Sequence, residues 1–333
     1  MLKFYFISEK CLTKLKYSRY YSSKPPNTLF FGSDHFSLYS LELIYNYHLK
    51  GELVNRLEVV TKLSKNANVV QKYAEKHNIP LYNWPNIPTE TAFDVGLVVS
   101  FGHLIPESII GKFPYGILNV HGSLLPKWRG AAPMIYALAN GDPETGITIM
   151  KIKPNKFDIG DILLQEKVSI NENMEMPELH KLLGELGAKS LVKTLADLPN
   201  YINHSKPQLI DNATYAPKVH PSFAVINWNT MTSTQIYNLH RALKGFLSPT
   251  SVWQGVQIKL SGIKKWETIS DNKNHKPGYV AFDKRTKSLI VLCADNKFVN
   301  VESVTVLGKK TMTANEFNNG FLCKVPINLR YFM

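Results

Sequence analysis

Apolar residues along the first two-thirds of the chain fall into short continuous runs separated by segments of helical spacing. The run 28-TLFFGSD-34 reads as a buried strand entering a turn, followed by a helical stretch through Lys50. A second strand is predicted at 56-RLEVVT-61, helical spacing at 68-NVVQKYAEKHN-78 and a short strand at 79-IPLYNW-84. The stretch 95-VGLVVSFG-102 is almost uninterruptedly apolar, as expected of a parallel strand covered on both faces. Another strand follows at 116-GILNVHGS-123, then a helix at 131-AAPMIYALANG-141 that Gly141 ends. Two more strands, 145-TGITIMKI-152 and 161-DILLQEKVSI-170, flank the loop 153–160, and a helix runs from Pro177 to about Leu195. Strand alternating with helix argues for an α/β architecture with an open, mostly parallel, doubly wound sheet. In such sheets the ligand crevice lies beyond the carboxyl ends of the strands.

The pattern then changes. Prolines and polar residues without periodicity at 197–222 read as a linker, assigned to 201–220. Beyond 224-AVINW-228 come a helix near Thr232–Gly245 and short strands at 256–266, 278–282, 288–293 and 298–306. Their number and length suit a small β-barrel at 221–333.

Charge adds a direction. The formal net charge is +13. Residues 1–28 carry six lysines and arginines against Glu9 alone, and from residue 201 onward basic residues outnumber acidic ones by about ten. A basic C-terminal part points to a polyanionic partner, nucleic acid first and anionic membrane second. The three cysteines form no C-x-x-C pair, so neither a zinc site nor a disulfide framework is indicated. No apolar run reaches the ~18–20 residues of a membrane span, which argues against membrane insertion. Residues 1–27 are rich in Lys, Tyr and Ser and poor in acid, and 19-RYYSS-23 resembles a processing site with cleavage between Tyr21 and Ser22. This reads as a mitochondrial targeting leader, and the matrix as the destination.

The chemistry concentrates in 119-NVHGSLLPKWRGAAP-133. Alternate residues of a strand share a face, so Asn119, His121 and, if the strand persists, Ser123 line up at a carboxyl end. Asp158 arrives from the later loop. An amide, an imidazole and a carboxylate, with no obvious nucleophile, suit a reaction in which the substrate supplies the nucleophile while the protein stabilises an oxyanion and moves protons.

N-x-H-x-S-L-L-P followed by K-W-R-G-A-A-P resembles the 10-formyltetrahydrofolate-dependent formyltransferases, and the W-R-G-A-A-P ending resembles their methionyl-tRNA branch. The likeness extends through 29-LFFGSDHF-36, 101-FGHLIP-106, 140-NGDPETGITIMKI-152 and 158-DIGDILLQ-165, and more thinly to 224-AVINW-228 and 308-GKKTMTANEF-317. It implies a formyltransferase catalytic domain over 28–200 and a C-terminal OB-like domain that helps hold tRNA. It implies Asn119, His121 and Asp158 as catalytic residues. It places 10-formyltetrahydrofolate, the formyl donor, against Phe101, Gly102, His103, Leu104, Ile105 and Pro106, the backbone around Leu118–Val120, the turn Ser123, Leu124, Leu125 and Pro126, and loop 153–160. The implied partners are initiator methionyl-tRNA and the product tetrahydrofolate, with no metal. Bacterial members carry a longer basic loop after the second strand, where 61-TKLSKNAN-68 holds only Lys62 and Lys65. Lys127, Trp128 and Arg129 either meet the tRNA end or pack the turn. Ser33 and Asp34 read as turn and helix-cap residues. The nearest rivals on the same domain are formyl transfer to a sugar nucleotide or purine precursor and hydrolysis of the formyl-folate, and a rival of another class is a catalytically silent RNA-binding protein. A fragment ending near Tyr201 is expected to keep the folate site.

Overall fold

The computed structural model describes residues 24–88, 92–266 and 275–333, so most of the leader, including its processing site, lies outside the described residues. A seven-stranded sheet holds β1 (Asn27–Gly32), β2 (Arg56–Thr61), β3 (Leu81–Asn83), β4 (Val95–Val99), β5 (Ile117–His121), β6 (Glu144–Lys151) and β7 (Asp161–Ser169), in the order β3-β2-β1-β4-β5-β6-β7. The pairs β2–β3, β1–β2, β1–β4 and β4–β5 are parallel, and β5–β6 is antiparallel. The chain leaves β1 first toward β2 and later toward β4, so the strand order switches direction beside β1. The carboxyl ends Gly32, Val99 and His121 therefore share one edge, where such sheets bind ligands.

The helices that the periodicity predicts are α1 (His35–Leu49), α2 (Val69–Lys76), α4 (Pro133–Asn140), α5 (Met176–Ala196) and α7 (Ser233–Leu243), and α3 (Glu107–Ile110), α6 (Leu198–Asn203) and α8 (Ala314–Gly320) join them. Asp34 caps α1 in a capping box with Ser37, the cap role read from sequence. Gly141 ends α4 in the left-handed region (φ 74°), where an L side chain is strained. Beneath the ligand edge, Phe31, Trp84 and Phe101 pack edge-to-face at 5.2–6.4 Å within a core shared with Phe93, Phe113 and Ile117. Each such side chain withdrawn from water contributes about 1.5–3 kcal/mol.

By contacts the chain divides into two compact units, each discontinuous. One comprises Met1–His121, Ile147–Glu166 and Gly184–Gln208, and the other Gly122–Gly146, Lys167–Leu183 and Leu209–Met333. The second unit contains a six-stranded antiparallel sheet: β8 (Thr250–Trp253), β9 (Val256–Lys265), β10 (Val280–Asp283), β11 (Ser288–Leu292), β12 (Phe298–Val306) and β13 (Thr311–Thr313). The path runs β10-β11-β12-β9-β8, with β13 also on β12. Residues 330–333 join its two edges. The Val252 N–H donates to the Met333 carbonyl (2.7 Å) and the Met333 N–H returns to Val252 (2.9 Å), while the Phe332 N–H donates to Gly278 (2.8 Å) and the Val280 N–H to Arg330 (3.0 Å). Buried Trp228, Trp253, Phe317 and Phe332 fill the interior. The sheet is thus a curled half-barrel stitched across its opening.

The stretch read as a linker is tied down along its length. Its beginning forms α6, and the Ile162 and Lys206 backbones exchange hydrogen bonds of 2.7 and 2.9 Å. Further on, the Arg129 N–H donates to Thr214 and the Ala216 N–H to Arg129. Among the described residues no helix is long and apolar enough to cross a membrane.

Candidate active site

Strand β5 carries the amide and the imidazole. Its neighbours impose the facing: Leu118 and Val120 are buried, and Val120 lies so close under α5 that a Cβ on Gly187 would sit 2.9 Å from its Cγ1. Asn119 and His121 take the opposite face, as the period of two requires. β5 stops at His121, however, so Ser123 does not continue that face. Its buried Oγ donates to the Lys127 carbonyl (2.6 Å), and it holds the following turn closed.

Asp158 meets the pair from the loop between β6 and β7. The Asn119 amide Nδ2 donates to Asp158 Oδ1 at 3.3 Å, and His121 Nδ1 approaches the same oxygen at 3.5 Å. His121 and Asp158 are 6% and 8% exposed, so the carboxylate acts on the imidazole where water screens little. The aspartate holds an unusual backbone conformation, with φ 56° for a residue bearing a Cβ. Two anchors over-determine it. The buried Gln208 amide donates to the carbonyls of both Asp158 (3.0 Å) and Gly160 (2.8 Å). At Gly160 a Cβ would overlap the Lys151 carbonyl oxygen, so only glycine allows the loop to lie against β6 there. Sequence reading missed Gln208, since it stands in an aperiodic, proline-flanked stretch with no motif around it.

The other predicted residues separate by exposure. In the loop after β4, Gly102, His103, Leu104 and Pro106 face solvent, whereas Phe101 and Ile105 are buried and anchor the loop in the aromatic core. Gly102 has φ 75°, and the His103 ring lies 5.1 Å from that of Phe101. Leu118 and Val120 offer only backbone, and that backbone sits between β4 and β6. Leu125 is buried; Leu124 and Pro126 are half-buried.

Of the two readings of Lys127–Arg129, the structure favours packing of the turn. Trp128 Nε1 donates to Asp142 Oδ2 (2.7 Å), Lys127 Nζ pairs with the same oxygen (2.8 Å), and Arg129 is 7% exposed. Asp142, itself buried, organises this corner. Among the described residues no group of three or more His, Cys, Asp or Glu is placed to hold a metal ion.

The arrangement can donate hydrogen bonds to a developing oxyanion and pass a proton, which are the two requirements of acyl transfer to an amine. Comparison with known proteins points the same way. A family model described as "Formyl transferase" matches residues 49–195, and "Formyl transferase, C-terminal domain" matches 218–322. The mitochondrial methionyl-tRNA formyltransferase of Mus musculus is 39% identical over 310 residues, covering 90% of this chain and 79% of the relative. The methionyl-tRNA formyltransferase of Staphylococcus aureus strain MW2 is 32% identical over 302 residues, covering 88% of this chain and 95% of the relative. Among solved structures, an N-formyltransferase from Helicobacter canadensis, in complex with folinic acid and dTDP-3-aminofucose, superposes with a TM-score of 0.62 at 20% identity. That match covers 83% of this chain and 98% of the other, and shows a shared fold.

Proposed function

This chain belongs to the methionyl-tRNA formyltransferases of the formyl transferase family, and from that premise we propose that Asn119, His121 and Asp158 move a formyl group from 10-formyltetrahydrofolate to the α-amine of methionyl-tRNA. The single observation that carries the reading is the convergence of an amide donor and an imidazole on one buried carboxylate oxygen at the ligand edge of the sheet. The residues at that edge suit the donor: the exposed Gly102–Leu104 segment is pinned by Phe101 and Ile105, and offers backbone groups of the kind that recognise a flat, polar heterocycle.

The bound folate supplies an activated formyl carbon on N10. The protein's residues do the rest. Asn119 and His121 donate hydrogen bonds to the formyl oxygen as the amine nitrogen bonds to its carbon, and one such donor is worth on the order of 10²–10³ in turnover. Asp158, through Nδ1, fixes the tautomer and orientation of His121. His121 gives its Nε2 proton to N10 as the N10–carbon bond breaks, and the nitrogen so freed takes up the proton released by the amine, leaving tetrahydrofolate and a formylated amine. Lys62 and Lys65 make the loop after β2 a small cationic element, so the basic C-terminal part carries most of the electrostatic attraction for tRNA.

The decisive assay is transfer of labelled formyl from 10-formyltetrahydrofolate to charged initiator and elongator methionyl-tRNA, with a sugar nucleotide and water as alternative acceptors. Transfer to initiator methionyl-tRNA is expected; transfer only to the sugar nucleotide would reassign the acceptor. The relatives named as mitochondrial and the basic leader support import into the matrix. Deleting residues 1–21 is expected to leave the activity intact and strand the protein outside the organelle. Arrival of the truncated chain in the matrix would remove the leader from that role.

A further inference from the structure

The second unit contains a recess of about 290 Å3 that the proposed chemistry does not use. Three half-buried rings line it. Trp128 and Tyr136 lie 5.6 Å apart, Tyr136 and Phe223 5.0 Å apart, and each pair is tilted by 41–49°. No charged side chain lines the recess, although residues from 201 onward carry an excess of about ten positive charges. Two amides stand among the lining residues, and their bonds leave complementary groups. Asn140 spends its NH2 on Asp142 (2.9 Å), so its carbonyl remains to accept. Gln235 spends its carbonyl on the Thr232 N–H (2.8 Å) in the cap of α7, so its NH2 remains to donate.

We propose that this recess binds one unpaired purine base of the tRNA, adenine by preference, stacked on Tyr136 and Phe223. A neutral, ring-lined hollow in a basic surface selects a ligand that is flat and uncharged where it enters and anionic where it does not, and this is the form of a nucleotide in a strand. Base–aromatic stacking accepts any base. The donor–acceptor pair supplied by Gln235 and Asn140 then matches the acceptor and the amino group that adenine presents along one edge. Trp128 serves as a fixed wall, because Asp142 holds its indole N–H at 2.7 Å. The inference rests on the assignment of tRNA as substrate, and its test is separable from that assignment.

The test measures tRNA affinity of the full chain across a salt series, for the wild type, Phe223→Leu, Phe223→Tyr and Asn140→Ala. Phe223→Leu keeps an apolar side chain and loses the ring face, so affinity should fall about 5–150-fold, the range for one stacked base. Its salt slope should stay that of the wild type, because no phosphate contact is lost. Phe223→Tyr should restore binding. A photo-reactive adenosine monophosphate should label peptides spanning 128–140 or 223–235. Unlabelled adenosine monophosphate should compete better than inosine monophosphate, whose carbonyl stands where adenine has its amino group, an advantage that Asn140→Ala removes. Unchanged affinity in Phe223→Leu, or labelling elsewhere in the chain, would overturn the proposal. A loss accompanied by a flatter salt slope would reassign the residue to backbone electrostatics. If the wild type itself fails to bind tRNA, the substrate assignment falls first and this inference with it. Should Phe223→Leu melt well below the wild type, the competition and Asn140→Ala arms decide alone.

Discussion

At the scale of single residues, the site depends on groups of two kinds. In the proposed mechanism His121 and Asp158 handle protons, so His121→Ala and Asp158→Asn are each expected to lower turnover by at least ~10² with the melting temperature preserved. Near-normal turnover in either purified variant would remove that residue from the mechanism. Gln208 acts one step removed. Its amide neutralises two buried carbonyls and holds the left-handed Asp158 in place. Gln208→Ala should reduce kcat roughly 10–100-fold, as expected when a reacting group is displaced slightly, while KM for methionyl-tRNA stays near the wild-type value. A change confined to KM would show that the residue shapes binding instead. The difference in kind also explains what could be read in advance. That Asn119, His121 and Asp158 come together could be expected, because Asn119 and His121 follow the strand period and Asp158 stands in a loop that the resemblance to formyltransferases brings to them. Gln208 could not be expected, because its role arises from where a distant segment returns. Ser123 was misplaced by two residues of strand that do not exist: the backbone turns after His121, and the hydroxyl closes that turn.

At the scale of elements, β2 runs over the residues assigned to it, and most other strands of the first sheet agree to within a few positions, because continuous apolar runs between Gly, Pro and polar clusters leave few alternatives. The elements absent from the reading are short: α3, α6, α8, β8 and β13 span three to seven residues each, too few to establish a period. Helix α7 supplies a pH test. Ile236, Leu239 and Leu243 form its buried stripe, and His240 stands beside them. Burial lowers the pKa of His240 below the usual 6.5, Glu175 and Glu302 oppose this, and Lys244 reinforces it. The unfolded chain therefore takes up this proton at a higher pH than the folded one. Between the two values stability rises with pH, so the contribution is complete above about 6.5 and is lost as the pH falls below it. Melting temperature should decline between about pH 7 and 5, and the decline should be shallower in His240→Gln. Parallel curves for the two proteins would place the acid sensitivity elsewhere.

At the scale of the whole molecule, catalytic and tRNA-holding regions read as successive segments in sequence, while the compact units interleave. Residues 122–146 and 167–183 belong with the C-terminal unit, and the sequence carries no mark of this because long-range packing has no local period. A fragment ending near Tyr201 would lack Gln208 and the 214–216 segment that pairs with Arg129. It is expected to lose formyl transfer and folate binding together, and to unfold without a sharp transition. A fragment that binds folate with wild-type affinity would show instead that residues up to 201 suffice. The stitched half-barrel has a further consequence, in the time domain of synthesis. β8 and β10 are made early, and the residues that join them, 330–333, follow Trp253 by roughly 80 positions. At roughly 5–20 residues per second, a ribosome leaves the β8 edge unpaired for about 4–16 s and the β10 edge for about 2.5–10 s. Unpaired edges are templates for other strands. The nascent second unit thus passes through an interval in which its greatest hazard is a neighbouring copy, and residues 330–333 are the ones that end it.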